Sequence, residues 1–133
     1  MASSPKEFQF PTIEDLKEAG YRVFPSPLED DELVFFHATL AQHLTDIIND
    51  GFRSAKELEK GELDSVSYAK QSPMALGHVC KPGQPVDNEF LIIAVRFEDT
   101  VLHRVNASDM HVFNGTQPEI IGVCRIPRTY VHA

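Results

Sequence analysis

The sequence contains no tryptophan, only two cysteines and few basic residues. Its 12 lysines and arginines are outnumbered by 20 aspartates and glutamates, which gives a formal net charge of −8 at pH 7. A surface with this balance repels a long phosphate backbone instead of following it. A module that binds duplex nucleic acid is therefore not expected.

Long apolar runs are also absent. The start of the chain lacks the basic stretch, apolar segment and small-residue cleavage site of a secretory signal, and no later run has the length needed to cross a membrane. We therefore expect a cytoplasmic protein without a membrane partner. Cys80 and Cys124 lie in apolar surroundings without a Cys-x-x-Cys spacing, so buried free thiols are expected.

The length of the chain indicates a single domain. With 133 residues and 42% hydrophobic content, it can bury one core but not two. Residues 1–10 begin with polar side chains that have little to bury, and we expect them to form a flexible tail. The single domain is expected over residues 11–133.

Three segments have the capping residues and stop signals of short helices. Thr39 and Gln42 form a capping box at the start of the second of these helices. Pro25 and Pro27 predict an extended connector between the first helix and the next strand. The predicted helices are residues 12–20, 39–51 and 72–79.

The other apolar segments are predicted strands. The run that ends at His37 is apolar throughout, which is typical of a central strand buried on both faces, and residues 89–97 have the strongest strand pattern. This order of elements indicates an α+β domain, with helices packed outside two small, mostly antiparallel sheets. The remaining predicted strands are residues 65–69, 101–105, 111–113 and 119–126.

Three separated segments carry polar residues on predicted strands: LVFFHAT at 33–39, DSVSYAKQSPMALGHVC at 64–80 and NGTQPEIIGVCRIP at 114–127. In this order they resemble the NAD-binding core of the ADP-ribosyltransferases. The resemblance covers Leu33 to Pro127. It implies an ADP-ribosyltransferase-like fold and a mono-ADP-ribosyltransferase activity that consumes NAD as its substrate and needs no metal.

In the first segment, His37-Ala38-Thr39 resembles the His-Gly-Thr or His-Gly-Ser of the polymerase-type branch. The resemblance implies that His37 holds the ribose during catalysis, and that backbone groups of Ala38 and Thr39 face the nicotinamide carboxamide. Ala38 replaces the family's glycine and adds a methyl group where the backbone approaches NAD. The alternative for His37 is a core histidine bonded to a neighbouring carbonyl.

In the second segment, Ser65-Val66-Ser67-Tyr68-Ala69 resembles the family's Gly-x-Tyr-Phe-Ala strand, and its Ser-x-Ser resembles the toxin-like branch. Matching Ala69 to the family's alanine places Ser67, not Tyr68, at the active-site tyrosine. Strand alternation allows only one of these two residues to face nicotinamide. His78 falls where the polymerase-type enzymes have an aromatic side chain that stacks on nicotinamide. The alternatives are a sheet aromatic for Tyr68 and a solvent-facing helix residue for His78.

In the third segment, Gln117-Pro118-Glu119 resembles the loop and strand that carry the family's catalytic glutamate. The resemblance implies that the Glu119 carboxylate stabilises the oxocarbenium-like transition state, and that Gln117 helps to select the acceptor. The acceptor itself is not identified: it is a protein side chain, a nucleic-acid end or a small molecule. The alternative for Glu119 is an exposed charge that opens an edge strand.

Two other functions compete with a transferase. A catalytically silent module of the same fold would bind NAD, ADP-ribose or a protein partner, and the departures at Ala38 and Ser67 favour it. A metal-dependent hydrolase would use some of the six histidines. No HExxH motif is present, however, and His37 and His43 are spaced so that they do not share a helical face.

Overall fold

The structure is a computed structural model, and it describes residues 5–52, 65–98, 103–104, 109–113 and 117–132. Of the predicted strand at 101–105, the structure therefore describes residues 103–104. Residues 53–64 lie wholly outside the described residues. The elements in chain order are β1 (Lys6–Phe8), α1 (Ile13–Glu18), α2 (Ser26–Glu29), β2 (Val34–Leu40), a 3-10 turn (Ala41–His43), α3 (Leu44–Asp50), β3 (Ser65–Ala69), α4 (Ser72–Val79), β4 (Phe90–Arg96), β5 (His103–Arg104), β6 (Asp109–Phe113) and β7 (Glu119–Arg125).

The strands of the described residues form one seven-stranded sheet in the order β1-β7-β4-β2-β3-β6-β5. All neighbours are antiparallel except β1 and β7, so the domain is α+β with a mixed sheet. The prediction of two sheets is not confirmed, because β2 and β3 are joined. Their junction is narrow, since it consists of the pair Phe36 and Ala69, whereas β2 pairs with β4 from Val34 to Leu40.

Strand β2 is buried on both faces of the sheet. On one face, Phe36 belongs to a core that includes Leu16 of α1 and Leu76 of α4. On the other face, Phe35 packs in a second core with Phe52, against which residues of α3 also pack. Two buried faces explain the continuous apolar run in the sequence and confirm the prediction of a central strand.

Two local predictions differ from the structure. Pro25 is the N-cap of the short helix α2, and Pro27 lies in its first turn, where a proline fits without losing a hydrogen bond. The segment is therefore not extended as predicted. The capping box at Thr39 and Gln42 was also wrong, because β2 continues to Leu40 through its pairing with β4 and keeps Thr39 in the strand.

The predicted tail, residues 1–10, contains β1, which pairs in parallel with β7. Phe8 and Phe10 hold this strand in place because their rings make edge contacts with Phe24 and Tyr130, at centroid distances of 5.3 and 5.1 Å. Two aromatic side chains thus give this segment the apolar contact area that its first residues lack.

Both cysteines are buried and unpaired, as predicted. Burial raises the pKa of the Cys80 thiol to about 11 and that of the Cys124 thiol to about 12. At neutral pH both thiols are therefore protonated and poor nucleophiles.

None of the helices in the described part has the length and apolar character to span a bilayer.

A buried carboxylate fixes the start of α4. The carboxylate of Glu29, only 3% exposed, accepts hydrogen bonds from the Ser72 N–H at 3.2 Å, the Ser72 hydroxyl and the Phe24 N–H at 3.3 Å. The Ser72 hydroxyl oxygen in turn accepts the Val23 N–H at 2.9 Å. This network ties α2, the preceding loop and α4 together.

We predict that Glu29→Gln lowers the free energy of unfolding by about 2 kcal/mol, because a neutral amide loses charge-assisted hydrogen bonds and turns a donor toward other donors. Chemical denaturation monitored by circular dichroism measures the change. Glu32→Gln, at an exposed position, is the matched control and should change stability by less than about 0.5 kcal/mol. Equal stability of the two variants would contradict the prediction.

Candidate functional site

A cavity of about 250 Å³ opens beside the β2–β3 junction. Continuing the register past Phe36 and Ala69 would place His37 opposite Tyr68 and Ala38 opposite Ser67, but no ladder pair forms there among the described residues. The described ladder between β2 and β3 therefore consists of this one pair. The cavity is lined by Phe36, His37, Ala38, Ala69, Ala75 and His78.

The cavity brings together three of the residues predicted to hold the cofactor: His37 and Ala38 of β2 and His78 of α4. His37 and His78 are 41 positions apart in sequence, and both line the cavity because α4 packs over β2 and β3. His78 is exposed on the outer turn of α4, so its ring is accessible at the rim of the cavity.

The ring of His37 is held by two aromatic neighbours. It contacts Phe52 edge-on at a centroid distance of 5.3 Å and Tyr68 at 5.6 Å. These contacts lie on the α3 side of the sheet, where Phe52 and Tyr68 belong to the same core. His37 thus lines the cavity and also packs against a buried aromatic pair, which limits the orientations open to its imidazole.

Tyr68 does not line the cavity. It is 1% exposed, and its ring packs between Phe52 and Phe97 with centroid distances of 5.4 and 4.9 Å. Burial raises the pKa of its hydroxyl above the ordinary value, and this hydroxyl has no hydrogen-bond partner within the described part of the chain. Ser67 pairs with His111 of β6, and its side chain lies outside what the structure describes.

Thr39 follows the cavity residues on β2 but is not among them. Its hydroxyl lies 3.2 Å from Nδ1 of His43, in the 3-10 turn that ends β2. The side chain thus has a partner within its own connection, and the hydrogen bond links the end of β2 to the start of α3.

The side chain of Gln117, the predicted acceptor-selecting residue, forms two hydrogen bonds with the backbone of Phe52. Its Oε1 accepts the Phe52 N–H at 2.7 Å, and its Nε2 donates to the Phe52 carbonyl at 2.8 Å. The amide thereby joins the exit of α3 to the start of β7. Because Phe52 touches His37, this bond pair also supports the position of the imidazole.

Glu119 is exposed and begins β7, where it pairs with Arg96 of β4. Arg96 in turn pairs with Val34 at the start of β2. His37 lies two strands away and three residues further along, which corresponds to a backbone separation of about 14 Å. Among the described residues, the structure therefore does not bring Glu119 to the cavity that contains His37.

Ala69 and Ala75 line the cavity, although neither was predicted to be a site residue. Their small side chains leave the space between β2, β3 and α4 unfilled. A pair of alanines flanking a predicted strand-to-helix turn is a weak signal, because alanine is common in any core.

No group of three or more His, Cys, Asp or Glu side chains gathers to hold a metal ion within the described ranges. Comparison with protein-family models, curated proteins and solved structures finds no match to this chain. Any assignment of function therefore depends on the geometry of the cavity and on the motifs that surround it.

We predict that Gly51→Ala destabilises the fold by about 2 kcal/mol or more. Gly51 has φ +84° and ψ 176°, a conformation that costs other residues about 1–3 kcal/mol, and an added Cβ would lie 2.6 Å from Oε1 of Gln117. Gly77→Ala is the matched control, since a Cβ there meets nothing within 4 Å.

Thermal and chemical unfolding of the two variants measures the difference. The Gly77 variant should keep or gain stability, because alanine is favoured over glycine inside a helix by about 0.5–1 kcal/mol. A Gly51 variant as stable as the Gly77 variant would contradict the prediction.

Proposed function

We propose that the chain is an NAD-dependent mono-ADP-ribosyltransferase with an ADP-ribosyltransferase-like fold, which cleaves the bond between nicotinamide and ribose and transfers ADP-ribose to an acceptor. The observation that carries the proposal is the cavity at the β2–β3 junction, which His37, Ala38 and His78 all line. Among the described strands, β2 and β3 are joined by a single ladder pair, and the cavity lies beside it.

The size and lining of the cavity suit the nicotinamide end of NAD. Small-molecule sites commonly have volumes of about 300–1,000 Å³. At about 250 Å³, this cavity accommodates one ring of a ligand better than a whole dinucleotide. The apolar Phe36, Ala69 and Ala75 provide a surface for a planar ring, and the accessible imidazole of His78 can stack on it.

In this proposal the imidazoles of His37 and His78 bind different parts of NAD. His37, oriented by Phe52 and Tyr68, hydrogen-bonds a ribose hydroxyl, while His78 holds the nicotinamide ring. A ribose fixed in one orientation reaches the transition state with less loss of entropy, which is a large part of catalysis between two bound reactants.

On β3, we assign the NAD-facing role to Ser67. Tyr68 is committed to the buried core on the α3 side and does not line the cavity, so of the two candidates on β3 we retain Ser67 for this role. A continued ladder would also have placed Ser67 opposite Ala38, at the level of the cavity. We propose NAD as the substrate in the cytoplasm, with the acceptor still to be found among proteins, nucleic-acid ends and small molecules.

A catalytically silent module is the second candidate, and the position of Glu119 favours it. The backbone positions of Glu119 and His37 lie about 14 Å apart across the sheet, and Glu119 is not among the residues that line the cavity. Such a module would use the same cavity to bind NAD, ADP-ribose or a modified partner without cleaving a bond.

Incubation of the purified protein with NAD, followed by detection of free nicotinamide, tests the choice between the two. We expect release by the wild-type protein. His37→Ala and His78→Ala should each weaken NAD binding about tenfold in calorimetric titrations, while His132→Ala, which removes a partner of Tyr130, should leave it unchanged. Binding without release would favour the silent module, and no binding would contradict both.

We further predict that Ala38→Gly increases affinity for NAD and nicotinamide several-fold, because it removes a methyl group from the cavity wall. Ala38→Val should decrease affinity, since it adds volume where the ligand sits. Calorimetric titration measures both, and Ala19→Gly at the end of α1 is the control for an alanine-to-glycine change away from the cavity. Equal affinities for all three variants would show that Ala38 does not contact the ligand.

A further inference from the structure

The side-chain amide of Gln117 is bound through both of its polar atoms to a single residue. Its oxygen accepts the Phe52 N–H at 2.7 Å and its nitrogen donates to the Phe52 carbonyl at 2.8 Å, across 65 positions of sequence. Two bonds from one planar amide fix both the distance and the orientation of the segment that they hold. A side chain that selects an acceptor would instead direct its polar atoms toward that acceptor.

The backbone at the end of α3 is fitted closely to this amide. Gly51 has a φ of +84°, and a Cβ at this position would lie 2.6 Å from Oε1 and 3.2 Å from Nε2 of Gln117. Within the described part of the chain, the backbone of Phe52 makes no hydrogen bonds other than the two to Gln117. The position of Phe52 therefore depends on this side chain.

The ring of Phe52 connects this backbone contact to the cavity. Phe52 is 3% exposed, and its ring contacts His37 at a centroid distance of 5.3 Å and Tyr68 at 5.4 Å. The rings of His37 and Tyr68 are themselves 5.6 Å apart, so each of the three rings contacts the other two. Close-packed rings do not move independently. A displacement of the Phe52 backbone would therefore change the orientation of the imidazole.

We infer that Gln117 is a positioning residue for the His37 imidazole, in place of the acceptor-selecting role that the resemblance implies. The inference rests on the proposed function, in which His37 hydrogen-bonds a ribose hydroxyl of NAD. Gln117 is not among the residues that line the cavity, and it acts through Phe52. An imidazole that is already oriented before NAD binds loses less conformational freedom on binding, and this raises affinity.

A double-mutant cycle of Gln117→Met and His37→Ala tests the inference, with NAD affinity measured by calorimetry. Methionine keeps the length of the side chain and removes both hydrogen bonds. We expect Gln117→Met to weaken NAD binding about fivefold alone and less than about 1.5-fold in the His37→Ala background, because a residue that acts through the imidazole has no effect once the imidazole is removed. Gln84→Met, at an exposed position between α4 and β4, is the matched control and should leave affinity unchanged.

The His37 ring also gives a readout that does not require NAD. Its NMR signals, assigned by their loss in His37→Ala, should shift in Gln117→Met because the neighbouring ring of Phe52 moves. The signals of His132, which packs against Tyr130, should not shift. If Gln117→Met does not fold, Gln117→Glu takes its place. This variant keeps an acceptor for the Phe52 N–H, loses the bond to the Phe52 carbonyl, and should change both readouts in the same direction.

Unchanged NAD affinity in Gln117→Met, as expected of a residue that only selects the acceptor, would overturn the inference and leave the proposed function standing. Equal weakening with and without His37 would also overturn it, because the effect would then be independent of the imidazole. A wild-type protein that does not bind NAD would instead overturn the proposed function. The NMR signals of His37 would then still decide whether Gln117 positions the imidazole.

Discussion

The pairing of Phe36 with Ala69 is the constraint on which the arrangement of this domain depends. Among the described residues it is the one ladder position that connects β2 to β3, and so connects the four strands on one side of the sheet to the three on the other. A complete ladder would close the space between the strands. A missing ladder would leave β3 and β6 without a fixed relation to His37. The single pair leaves the space open and still fixes β3 relative to β2. The cavity lies beside this pair.

The packing on the two faces of the sheet explains how one pair is sufficient. On one face, α4 crosses β2 and β3, and its start is fixed by the bonds between Glu29 and Ser72. On the other face, Tyr68 of β3 packs against Phe52 and Phe97 beside β2 and β4. These contacts bind β3 to its neighbours through side chains where backbone hydrogen bonds are few.

Local signals in the sequence predicted much of the fold. Ser72–Val79 was predicted as a helix with the bounds that the structure shows, and the second predicted helix ends at Gly51, which is the C-cap of α3. The capping box at Thr39 and Gln42 failed because pairing with β4 extends β2 beyond the point where local propensity would begin a helix. The prediction of an extended connector at Pro25 and Pro27 failed for a similar reason. Burial of Glu29 stabilises a short helix that the prolines alone do not specify.

The sequence by itself determined the chemistry that is available: two imidazoles, several carboxylates, small residues at Ala38 and Ala69, and strands with residues for both faces. Only the tertiary structure decided which of these meet. His37 and His78 line one cavity because α4 packs over the junction, whereas the register of β7 and β4 sets Glu119 in line with Val34 at the start of β2, outside the cavity lining. Strand order and register arise from contacts between residues far apart in the chain, and the spacing of residues within a segment does not record them.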